Sequence, residues 1–140
     1  MEIKKLVFKA RKVELKWLSD SSDPESDAND VRTLESVVRP HSDLMKAVSN
    51  LIPELLKLCN LSKGVYDITS IDVKYNDGGR SFKVIMTSLV DNAGVVRFTL
   101  PYLEIKDRFV ALFGALESEC AKFESREKTQ LDMFQNKEAA

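Results

Sequence analysis

The chain has 140 residues, 44% apolar and 31% charged, a formal net charge of −1 and a single histidine. These values describe one soluble-type domain with enough chain for a core, and they exclude a wholly basic nucleic-acid magnet and a histidine-rich metal protein. No apolar run has the length of a membrane span.

Residues 3–18 run Ile-Lys-Lys-Leu-Val-Phe-Lys-Ala-Arg-Lys-Val-Glu-Leu-Lys-Trp-Leu. Val13, Leu15 and Trp17 alternate with Glu14 and Lys16, which predicts a half-buried strand. Leu6 and Phe8 fall on the other parity, and a bulge near Ala10–Lys12 reconciles the two halves. Residues 19–30 are acidic and rich in turn formers, so a mobile loop is expected there. A second strand follows from Val31, making that loop the tip of a wide hairpin. At Pro40-His41-Ser42-Asp43 a helix begins, with Ser42 or His41 as cap. Leu44, Val48, Leu51, Leu55 and Leu58 follow at helical spacing, and Pro53 should kink or split the helix. Gly64 is a candidate terminator.

Three more strands are predicted over residues 66–75, 81–90 and 95–100. Asn76-Asp77-Gly78-Gly79 and Asp91-Asn92-Ala93-Gly94 supply the turns. Pro101 ends the third strand. Asp107 then caps a helix whose stripe of Phe109, Leu112, Phe113, Leu116, Cys120 and Phe123 runs to about Arg126. Gly114 inside it suggests a close approach to another backbone. The order implies an α+β domain: an antiparallel sheet of about five strands (ββαβββα) with two helices on one face. Residues 1–128 form the domain, and 129–140 a flexible tail.

Catalytic signals are sparse. His41 is the only histidine, and Cys59 and Cys120 lie in apolar stripes, as reduced core residues do. No cofactor motif is present. The acid-x-Lys pairs Glu14-Leu15-Lys16 and Asp72-Val73-Lys74 are the one pattern that points to a small Mg²⁺-dependent nuclease, in which carboxylates hold the metal and a lysine assists water. The nuclease pattern expects a further acid on a different strand, and Asp67 lies only five residues before Asp72, so ordinary outward-facing cross-strand charges are the preferred reading. Lys4, Lys5, Lys9, Arg11, Lys12, Lys16 and Trp17 form a basic, aromatic-bearing stretch that reads first as a solvated sheet face balanced by the acidic loop, and as an alternative suits single-stranded DNA. No signal-peptide pattern opens the chain, and the expected location is the cytoplasm.

The most specific string lies near the end: Gln130-Leu131-Asp132-Met133-Phe134. It resembles the peptide Gln-Leu-(Ser or Asp)-Leu-Phe by which bacterial and phage DNA-processing proteins hold the DNA polymerase sliding clamp. Four of five positions match, and the fifth is Met for Leu, of similar volume. Ordinary residue usage places such a string in a chain of this length about once in a thousand or less. The resemblance implies Leu131, Met133 and Phe134 entering an apolar groove, Gln130 bonding at its rim, and Asp132 keeping the free tail soluble. The whole chain also resembles, less specifically, small uncharacterised phage and mobile-element proteins. They share the wide-hairpin start and the Pro40–Leu44 helix start. The implied role is a clamp-docking accessory protein of DNA replication or repair.

Overall fold

The computed structural model describes residues 1–18, 31–76, 79–90 and 94–139, with side chains described as far as Arg126. Loop 19–30, expected to be mobile, lies outside the described residues.

The opening stretch is two strands, not one. β1 (Glu2–Phe8) and β2 (Val13–Leu18) pair antiparallel, with Phe8 opposite Val13. The Lys9 N–H donates to the Lys12 carbonyl at 2.8 Å and closes the turn. The change of parity at Ala10–Lys12 is therefore a hairpin, not a bulge. Ala10 is small and Arg11 and Lys12 are charged, so this segment has no large apolar side chain to bury and the chain reverses there. A register shift does occur in β1, but between Ile3 and Lys5. β3 (Val31–Ser36) pairs with β2, Leu18 facing Val31, as a wide hairpin requires.

The predicted first helix is two: α1 (Ser42–Ser49) and α2 (Leu51–Leu58). Pro53 falls in the first turn of α2, where its missing N–H would have no helical partner anyway. Asn60, with φ of 54°, ends α2, and the Leu61 N–H reaches back to the Leu56 carbonyl at 2.9 Å. This is the left-handed cap that asparagine tolerates, so Asn60 and not Gly64 is the terminator. Of the expected stripe, Leu44, Val48, Leu51 and Leu55 are buried, whereas Leu58, in the last turn, is 59% exposed.

β4 (Tyr66–Asn76), β5 (Gly79–Val90) and β6 (Gly94–Thr99) form the predicted meander. Gly79 and Gly94 close its turns with φ of 119° and 78°, conformations that side chains disfavour. The two-residue β7 (Leu103–Glu104) adds to β5 beyond Pro101. The described sheet thus has seven strands rather than five, in the order β3-β2-β1-β4-β5-β6 with β7 also on β5.

α3 spans Arg108–Ala139 and so runs beyond Arg126. Residues 127–139 contain no Gly or Pro and are mostly good helix formers. Asp107 stands before it with φ of 54°, its carbonyl accepting from the Val110 N–H at 3.2 Å. Gly114 makes no close approach: a Cβ added there meets nothing within 4 Å, because the residue lies on the outward side of α3.

One core lies between the sheet and the helices. Leu6, Leu15, Ile71, Phe82, Val84 and Met86 face Leu44, Leu51, Leu55, Phe113 and Leu116, all nearly free of solvent. The Phe82 ring sits 4.9 Å from Phe109 and 4.7 Å from Phe113, pinning α3 to β5. The opposite face of the sheet carries no helix among the described residues.

Candidate functional site

Gln130–Phe134 lies within the bounds of α3, and its side chains are outside those described. The last described core residue before it is Phe123.

The basic stretch is divided by the hairpin. Lys5 and Lys16 oppose each other on the open face of the sheet. Lys4 sits at the register shift, and Lys9, Arg11 and Lys12 occupy the turn, beside a groove of about 380 Å³ that Val38 and Pro40 also line. Three of these cations are held by carboxylates. Lys9 and Lys16 lie 3.4 and 3.6 Å from Glu14, and Lys12 lies 3.7 Å from Glu35. Burial pushes the Glu14 carboxyl up, but Lys9 and Lys16 outweigh it and hold it below its ordinary value. Trp17 alternates with Lys16 and packs against the core, so its ring does not share the lysines' face.

The acid-x-Lys pairs both face the open side. Asp72 lies between Lys5 on β1 and Lys83 on β5. A metal nuclease needs a second carboxylate there, and the register supplies lysines. Among the described residues no group of three metal-ligating side chains comes together.

Two polar clusters join α3 to the sheet and α1, and neither stood out in the sequence. Glu117, 8% exposed, accepts the Ile3 N–H at 2.8 Å and Arg80 Nη1 at 3.0 Å. Arg80 Nη2 is also 3.0 Å from Glu117, outside hydrogen-bonding geometry, and Arg80 Nε is buried with no acceptor among the described residues. Nearby, the Tyr75 hydroxyl donates to Glu2 at 2.5 Å. Burial, and then the Glu2 carboxylate, push the Tyr75 hydroxyl far above its ordinary value. The signal was available: Glu117 interrupts the stripe of Phe113, Leu116 and Cys120, and Arg80 shares the core parity of Phe82 and Val84.

His41 stands at the N-cap of α1 but makes no side-chain capping bond. Its Nε2–H instead donates to Glu119 on α3 at 2.7 Å, and Nδ1 is buried without a partner among the described residues. The expected cap is thus an interhelical tie, because the His41 ring lies toward α3, 6.5 Å from the Phe123 ring and beside the Glu119 carboxylate. Both cysteines are free. Burial, then Glu117 and Glu119, push the Cys120 thiol up to about 12, which removes it as a nucleophile.

No helix of the described residues is long and apolar enough to cross a membrane. Comparison with protein-family models, with curated proteins and with solved structures finds no match.

Proposed function

We propose that this chain is an accessory protein of phage or mobile-element DNA replication or repair that docks on the bacterial sliding clamp through Gln130–Phe134. The observation that carries the reading is the string Gln-Leu-Asp-Met-Phe. Two features of the chain support it. Among the described residues the core runs from Ile3 to Phe123, upstream of the string. The string also lies near the end of α3, and helix ends open at less cost than helix interiors.

Docking in extended form requires those last turns to unwind. Short helical segments are marginal in water, so the ordering cost is modest. Burial of Leu131 and Phe134 contributes roughly 1.5–3 kcal/mol each before that cost. A dissociation constant of about 1 μM, near −8 kcal/mol, is expected.

The test is a peptide of residues 129–136 titrated into a purified bacterial clamp, with a polymerase-derived clamp peptide as competitor. Mutually exclusive binding supports the reading. Equal behaviour of the native and Phe134→Ala peptides refutes it.

A further inference from the structure

We infer that the open face of the sheet is a platform for single-stranded nucleic acid, centred on Tyr102 and the strands β4 and β5 rather than on the N-terminal hairpin. The observation is an exposed aromatic ring set among cations that make no salt bridge with a described residue. Tyr102 is 41% exposed. Lys74 Nζ lies 3.9 Å from its ring centroid, and Lys83 Nζ 5.3 Å. No other aromatic ring among the described residues has a lysine on its face.

The register spreads further cations across the same face. Lys83 is opposite Asp72, which is opposite Lys5. Arg97 on β6 is opposite Thr87. Lys5, Lys74, Lys83 and Arg97 have no ion-pair partner among the described residues, unlike Lys9, Lys12 and Lys16. Cations outside salt bridges attract phosphate more strongly than paired ones, and on this face Asp72 offsets Lys5 and Lys83 in part. Lys5, Asp72, Thr87 and Arg97 also line one shallow depression of about 450 Å³, floored by Val7 and Ile85.

Each component has a task on a flexible polynucleotide. The Tyr102 ring offers a stacking surface to a base, and stacking tolerates any base because each has a π-face. Lys74 and Lys83, now on the ring, are within reach of the phosphates that flank a stacked nucleotide. Lys5 and Arg97 continue the cationic track. Asp72 is the exception on this face, a carboxylate between two lysines. It repels phosphate but accepts from the exocyclic amine of a base, which favours an unpaired strand with exposed base edges over a duplex. Among the described residues the open face also presents no helix to enter a major groove.

This inference does not depend on clamp docking. The chain ending at Lys128 is therefore the control, since it lacks Gln130–Phe134 and keeps the whole sheet. Fluorescence anisotropy with a labelled mixed-sequence 20-nucleotide single strand is the measurement, on the full chain and on the truncated one. Both should bind alike, with a log–log salt slope of about −2 to −3, the value for three or four phosphate contacts. Lys74→Glu/Lys83→Glu should weaken binding at least about tenfold, and Lys9→Glu/Lys12→Glu by much less. Tyr102→Ala should weaken it at least about fivefold, while Tyr102→Phe should restore it, because stacking needs the ring and not the hydroxyl. Circular dichroism and melting of each variant establish that the fold is kept. No binding at low salt overturns the inference, as does insensitivity to both the lysine and the tyrosine changes. Equal displacement of the strand by poly-glutamate would assign the face to acidic proteins and overturn it too.

Discussion

Glu117 is the residue on which the sheet–helix contact is most exposed to a single change. It accepts from a buried backbone N–H of Ile3 and from Nη1 of Arg80 at once. Glu117→Ala strands both, and removing one partner of a buried pair costs about 3 kcal/mol or more. Glu117→Gln keeps an acceptor for Ile3 and should cost less than the alanine change. Urea denaturation of the two variants checks the order, and equal loss would place the energy in Arg80 alone. Such residues are hard to find in a sequence because their partners are distant: Ile3 and Glu117 are 114 positions apart. What the sequence does carry is the anomaly, a carboxylate inside an apolar stripe. His41 is the same lesson reversed. Its position before α1 reads as a cap, and only the packing of α3 against α1 reveals the Glu119 partner.

At the scale of elements, the stripes on α1, α2 and the first part of α3 were legible because burial repeats with the helix period. Gly114 broke that legibility, since a glycine in a helix implies a contact that is absent here. Gly114→Ala should therefore stabilise the chain by about 0.5–1 kcal/mol, read as a higher urea midpoint with an unchanged slope. A fall in the midpoint would mean that α3 needs the space. The tie between α1 and α3 makes a pH prediction. The hydrogen bond from His41, and then that from Lys122, hold the Glu119 carboxyl below its ordinary 4.5. A depressed folded value means that the unfolded chain binds the proton first, so the contribution is full above the ordinary 4.5 and is lost as the pH falls from there through the folded value. Melting curves of the parent should fall more steeply with acid below about pH 4.5 than those of His41→Ala. Parallel acid limbs would show that Glu119 gains nothing from His41. Glu14, also depressed, is unchanged in both proteins and does not enter the difference.

For the whole molecule, the α+β class and the meander followed from alternation and from the turn residues Asn76–Gly79 and Asp91–Gly94. The strand number did not, for two local reasons. A parity change at Lys9–Lys12 fits a bulge or a tight turn equally well in sequence, and the pairing of Phe8 with Val13 decides for the turn. β7 is two residues long and exists only because β5 extends past β6 at Ser81 and Phe82. The candidate surfaces divide similarly: the clamp-like string is read from sequence alone, whereas Tyr102, Lys74 and Lys83 converge only through the register. Docking of the string near the end of α3 on the replication clamp, as proposed, is open to one direct measurement. Isothermal titration of the full chain into purified clamp, beside its Phe134→Ala variant and the chain ending at Lys128, tests it most directly. Expected are roughly micromolar binding by the full chain, a loss of about 2–4 kcal/mol for Phe134→Ala, and no measurable binding by the truncated chain, which should still melt within about 2–4 °C of the parent. Unchanged affinity in the Phe134→Ala chain, or no binding by the parent, would contradict it.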